Sequence, residues 1–144
     1  MARRIRLFQL LDRARTALFA RANAETTASL GVSVSQLALL FAFRDAAPRR
    51  PSELAATMEV DPAAVTRLVD RLEAAGLVTR VADPHDGRSR RVQITAAGNA
   101  VRERGAQLVA RANRRLSAPF TAEELDVVAR FLEHVIDDEH GDTP

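Results

Sequence analysis

The chain has 144 residues, enough for one domain with its own core, and a formal net charge of only +2, too small to identify a partner. It contains no cysteine, which excludes disulfides, thiolate catalysis, zinc–thiolate sites and cysteine redox sensing together. No apolar run approaches the roughly 20 residues of a membrane span, and the basic N-terminus lacks the unbroken apolar core of a secretion signal, so a soluble cytoplasmic protein is the default expectation.

Helix formers dominate, and glycine and proline are sparse, so the fold reads as mainly helical. Residues 3–28 form a predicted first helix, with Leu7, Leu11, Ala14 and Leu18 on one stripe and Phe8 and Phe19 beside it. Gly31 ends it. Ser33 opens a second helix with Gln36 three residues on, the pattern of a capping box. Leu37, Leu40 and Phe41 are expected to face inward from this nearly apolar segment. Residues 46–51 read as a loop, and Ser52 starts a short helix to about Met58 with Leu54 and Ala55 in its core. Glu59 and Val60 form the turn, at a point where many helix-turn-helix motifs carry glycine.

Asp61 and Pro62 then read as an N-cap followed by proline at the first helical position. Val65, Leu68, Val69 and Leu72 share one face, and Gly76 stops the helix. The opposite face carries Ala63, Arg67, Asp70 and Ala74, flanked by Thr66 and Arg71. Such a face is small at its start and then offers a hydroxyl and a guanidinium, the shape a helix needs to lie in the major groove. Residues 77–82 and 92–95 read as two strands of a hairpin, with Val92 and Ile94 on one side and Arg88, Arg90 and Arg91 crowded near its tip. Thr95 caps a helix to about Ser117, decorated by Arg102, Arg104, Arg111, Arg114 and Arg115. Pro119 breaks the chain, Thr121 and Glu124 make another capping box, and a last helix carries the stripe Leu125, Val128, Leu132, Val135 and Ile136.

The order of elements gives a winged helix-turn-helix flanked by helical arms, mainly α with a two- or three-stranded antiparallel sheet. Residues 48–95 are the expected DNA-binding region, and 1–47 with 96–144 the helical dimerisation region. The apolar stripes at both ends exceed what one small winged domain can cover, so a second copy is the expected partner. No nucleophile, acid–base pair or glycine-rich phosphate loop is recognisable, so the chain does not read as an enzyme, and no cofactor is implied.

Two stretches resemble the MarR family of bacterial transcriptional regulators. Residues 65–78 look like its recognition helix. Asp86-Gly-Arg88 through Ile94-Thr95, with Gly98 after it, looks like its wing signature. The resemblance spans essentially the whole chain. It implies a homodimer that meets a near-palindromic double-stranded DNA operator, with helix 62–75 in the major groove and wing 83–91 in the minor groove. It also implies response to a small-molecule effector, an aromatic acid or phenol, in a pocket near the first, second and fifth helices. Phe8, Leu11, Leu37 and Phe41 would line that pocket; on periodicity alone they read as simple core, and none is taken as a binding residue.

The candidate DNA contacts follow. Thr66 and Arg67 are placed to read base edges. Pro62 and Ala63 allow close approach where the helix dipole favours phosphate. Ser52 offers phosphate a hydroxyl or an amide, and Arg71 is either a phosphate contact or an ion-pair partner. Arg88 suits the negative potential of the minor groove, and Asp86, two residues earlier, is placed to hold its guanidinium extended. Arg90, with Arg91, reads as a phosphate contact or a wing support. Asp70 is expected to pair with Arg67 or with the adjacent arm. Two other readings stay open: a winged helix used for protein contact without a DNA target, and a metal-responsive regulator using His134 and Asp138, against which stands a plain solvated acidic helix end.

Overall fold

The computed structural model describes residues 6–141, with side chains described through Asp138. The chain forms two compact units, Met1–Ala106 and Gln107–Pro144. The elements run α1 (Leu7–Leu30), α2 (Val34–Ala42), α3 (Pro51–Met58), α4 (Pro62–Ala74), β1 (Val78–Ala82), β2 (Arg90–Ile94), α5 (Ala96–Ser117) and α6 (Ala122–Gly141). Residues 3–5, at the expected start of the first helix, lie outside the described residues.

Local chemistry sets most boundaries. Gly31 closes α1 in the left-handed region at φ 72°, where a glycine carries no Cβ penalty. The Ser33 hydroxyl accepts from the Gln36 amide at 3.1 Å, and the Gln36 side chain accepts from the Ser33 amide at 2.7 Å, which completes the capping box of α2. Asp61 Oδ1 accepts from the Ala63 amide at 2.7 Å and caps α4. The Thr121–Glu124 box opens α6 in the same reciprocal way, at 3.2 and 2.9 Å.

The core of the first unit gathers Leu39, Leu40, Phe43, Leu54, Val65, Val69, Leu72, Val78 and Val92, each buried almost completely. Burying a side chain of this size stabilises the fold by about 1.5–3 kcal/mol relative to leaving it in water. These residues bind the helix-turn-helix to the hairpin, so α3, α4 and the sheet share one apolar interior. The hairpin pairs antiparallel from Val78↔Ile94 to Ala82↔Arg90. An isolated bridge joins Arg49 to Val92, with both backbone bonds at 2.8 Å, so the loop before α3 serves as a third, one-residue edge of the sheet.

Several expectations need correction. Leu37 and Leu40 face inward, but Phe41 is 39% exposed; the third inward residue of α2 is Leu39, which has no exposure at all. A helix buried on more than one side hides residues that a single stripe does not collect. The second strand starts at Arg90 rather than Val92, because backbone pairing to Ala82 continues past the apolar residues. The short helix starts at Pro51, with Arg50 as its cap, rather than at Ser52.

The second unit carries the rest of α5 and α6. None of the described side chains of α6 is buried: Val128 is 48%, Leu132 41% and Ile136 55% exposed in the single chain. Of the stripe seen in the sequence, Leu125 and Val135 are half-buried, whereas Val128, Leu132 and Ile136 stand exposed.

Candidate nucleic-acid interface

α4 exists because Asp61 and Pro62 start it and Gly76, at φ 73°, ends it. Val65, Val69 and Leu72 are buried and Leu68 is partly buried against them, which fixes the helix rotation and turns Pro62, Ala63, Thr66, Arg67, Asp70 and Arg71 to solvent. The turn before it holds Glu59 at φ 55°, in the left-handed region that glycine fills at no cost. The motif therefore keeps its turn geometry without the usual glycine.

Arg67 and Arg71 are exposed and have no carboxylate partner among the described residues. The Thr66 hydroxyl donates back to the Pro62 carbonyl at 3.2 Å, so towards a base edge it offers its lone pairs and methyl group rather than its proton. Among the described residues Asp70 has its ion pair with the wing, and not, as expected, with Arg67 or a helical arm. Its Oδ1 accepts from Arg80 on β1 at 2.5 Å. Arg80 also donates to Glu73 Oε1 at 2.8 Å, and Glu73 Oε2 accepts from the Arg80 amide at 2.8 Å. That amide and then the guanidinium hold the Glu73 carboxyl below its ordinary range. One arginine thus bridges two carboxylates of α4, offsets one of their two charges, and ties the helix to the first strand of the wing.

The wing tip is ordered by its aspartates. Asp86 Oδ1 accepts from the Arg88 backbone amide at 3.1 Å and Oδ2 from the Ser89 hydroxyl at 2.7 Å. The expected grip on the Arg88 guanidinium is therefore absent; Asp86 shapes the backbone as an Asx-turn and leaves the guanidinium at the tip exposed. Asp83, at the start of the wing turn, has a side chain with no exposure. Its Oδ1 accepts from the His85 amide at 3.0 Å, and its Oδ2 from Arg91 Nε at 2.9 Å and Arg50 Nε at 3.4 Å. The His85 amide first and then Arg91 lower its pKa to about 2. Arg91 is thus a wing support, whereas Arg90 projects exposed from β2.

Ser52 is exposed in the first turn of α3, where backbone amides have no carbonyl ahead of them in the helix. All nine residues expected at the interface, from Ser52 on α3 through α4 to Asp86, Arg88 and Arg90 on the wing, are solvent-exposed.

Residues 30–89 match the family model for the MarR family. The multiple antibiotic resistance protein MarR of Escherichia coli is 34% identical over 113 residues, covering 78% of each chain. The chain belongs to the MarR family. An HTH-type transcriptional repressor of Mycobacterium tuberculosis is 32% identical over 104 residues, covering 72% of this chain and 75% of that one. Among solved structures, a cysteine-to-serine variant of E. coli MarR complexed with operator DNA superposes with a TM-score of 0.78 at 32% identity, over 91% of this chain and 94% of that one. A probable transcriptional regulator from Pseudomonas aeruginosa gives 0.75 at 27% identity, over 90% and 96%. This MarR-family chain is a winged-helix transcriptional regulator, of a family of regulators rather than enzymes.

For a MarR-family protein, the residues that sequence reasoning missed are the ones that brace the reading head: Arg50, Glu73, Arg80 and Asp83. Ion pairs across long sequence separations leave no periodic trace. Asp83 alone gave a local signal, since Asp83-Pro-His-Asp86 repeats an Asx-turn former at a spacing of three. Two of the arginines read as decorating α5 are also structural. Arg102 donates to the Phe43 carbonyl at the end of α2, and Arg104 to the Ser29 carbonyl of α1 at 2.6 Å. No helix among the described residues is long and apolar enough to cross a membrane. No cluster of three His, Asp or Glu side chains suited to a metal occurs among them.

Proposed function

We propose that this regulator is a homodimeric repressor that binds a near-palindromic operator, with α4 in successive major grooves and the wing tip in the adjoining minor grooves. The observation that carries it is the exposed face of α4. It is small at Pro62 and Ala63, presents guanidiniums at Arg67 and Arg71 with no carboxylate partner among the described residues, and has its acidic residues Asp70 and Glu73 drawn back onto Arg80, which offsets one of their two charges. The operator-bound MarR structure supports the reading by likeness. On this reading, 48–95 is the DNA-binding region, and 1–47 with 96–144 the dimerisation region. Arg67 and Thr66 read bases, Arg88 enters the minor groove, and Ser52, Arg71 and Arg90 meet phosphates.

A small aromatic acid or phenol bound near the dimer helices would weaken DNA binding by favouring a spacing of the two reading heads that does not match the duplex. Of the residues considered for such a pocket, Leu37 is buried, Leu11 half-buried, and Phe8 and Phe41 are 86% and 39% exposed in the single chain.

The test is a titration of the protein against DNA from its own upstream region and against random DNA at two salt concentrations. Specific affinity falling steeply with salt supports the reading. A flat salt response with no preference for any fragment overturns it. Arg88→Ala is expected to weaken operator binding by about 1–3 kcal/mol with the dimer intact. Arg67→Ala is expected to narrow the ratio of operator to random affinity, whereas loss of a phosphate contact alone would weaken both equally.

A further inference from the structure

The wing of this protein is held by a buried ionic junction. Asp83 opens the wing turn with its side chain sealed from solvent. Arg91 reaches it from β2, and Arg50 reaches it from the residue that caps α3. Arg50 is itself fixed, because its amide donates to Glu53 Oε2 at 2.7 Å. The neighbouring Arg49 is locked to Val92 by two backbone bonds of 2.8 Å. The cap of α3 and both sides of the wing turn therefore meet at one carboxylate.

A buried carboxylate shared by two guanidiniums is a poor source of net stability, since desolvation offsets much of the attraction. It is directional, however. A hairpin held only at its base can hinge, and a third anchor at the root of its turn removes that freedom. The tip beyond it is short: Asp83 donates its amide nothing further along than Ser89, whose carbonyl accepts at 3.1 Å.

We propose that Asp83, clamped by Arg91 and Arg50, is a positioning residue that fixes the pitch of the wing against α3 and so presents Arg88 in one direction. The inference rests on the DNA-binding reading above. It assigns Arg50 and Arg91 to orienting the wing and not to phosphate. In the free protein it requires that exchange in the wing respond to the clamp more than exchange in α4 does.

The experiment is a double-mutant cycle on operator binding with the full-length protein, using Asp83→Asn, Arg88→Ala and the double variant, with hydrogen exchange read on the wing amides of the free proteins. Asp83→Asn is expected to weaken operator binding about tenfold and to speed exchange in residues 83–91 more than in α4. Arg88→Ala is expected to cost about tenfold in the parent and less than about threefold beside Asp83→Asn, because an unpositioned guanidinium has little left to lose. Independent penalties that multiply, or unchanged wing exchange, overturn the proposal. Should Asp83→Asn fail to fold, Arg50→Gln replaces it: Arg50 is 53% exposed, and Arg91 still pairs the carboxylate. The same coupling with Arg88 is required of it. If the parent shows no operator preference, the DNA-binding reading falls and takes this inference with it, whereas a parent that binds with an additive cycle sinks this inference alone.

Discussion

Glu59 shows how a single residue can carry strain for the motif. Its φ of 55° costs an L-residue about 1–2 kcal/mol, and the turn needs that geometry so that the Val60 amide can reach the Ala55 carbonyl at 3.1 Å. Glu59→Gly should therefore raise stability, by up to about 1 kcal/mol after glycine's own entropy cost is subtracted. Thermal unfolding checks it, and a lower Tm would show that a Glu59 side-chain contact outweighs the strain. Asp83 makes a pH prediction at the same scale. Its pKa lies near 2 in the folded chain and near the ordinary 3.8 when unfolded. A depressed folded pKa gives stability that is complete above the unfolded value and lost as pH falls through the folded one. The protein should lose stability between about pH 4 and 2, and Asp83→Asn should remove that part of the dependence in acid titrations followed by circular dichroism.

At the scale of elements, the joint between recognition helix, wing and α5 is set by Thr95 and Gly98. The Thr95 hydroxyl donates to the Gly76 carbonyl at 2.8 Å and accepts from the Gly98 amide at 3.0 Å. A Cβ at Gly98 would lie 2.0 Å from the Leu77 carbonyl oxygen, so backbone would have to move. Gly98→Ala should destabilise by about 3 kcal/mol or more, measurable in urea, and should impair DNA binding through the displaced joint. Gly105→Ala meets only the Leu37 side chain, at 2.4 Å, and should cost less because that chain can rotate. These joints explain what could be read in advance. Caps and stops at Gly31, Ser33, Asp61, Gly76 and Thr121 are local chemistry and were legible, as were the exposed faces of α4 and the hairpin. The Asp70–Arg80 pair, the Asp83 junction and the full burial of Leu39 depend on which distant segments meet, and spacing along a chain does not encode that. The Asp86–Arg88 motif was legible as a wing, but its chemistry was misassigned because a carboxylate two residues before an arginine can bond backbone as easily as guanidinium.

For the molecule as a whole, the uncovered apolar surface sits mainly on the terminal helices. Leu7, Phe8, Leu10, Leu18 and Phe19 of α1 are 43–86% exposed, and Val127, Val128, Leu132 and Ile136 of α6 41–56%. A soluble monomer rarely leaves so many large apolar side chains in water on continuous stripes. A closed two-fold dimer covers such a stripe with its own copy and needs no other protein. In the proposed dimer the same symmetry would space two recognition helices for half-sites one duplex turn apart, which would link dimerisation to operator recognition. The parent is expected to sediment at twice the 15.7 kDa of one chain. Leu132→Glu sets a charge in the α6 stripe, 41% exposed in the single chain, so folding tolerates it better than association does. Its expected result is a shift toward the single-chain mass, with operator affinity falling further than affinity for random DNA, because only the operator engages both reading heads. A parent at the single-chain mass would refute the dimer, and a Leu132→Glu variant that remains paired would move the interface away from α6.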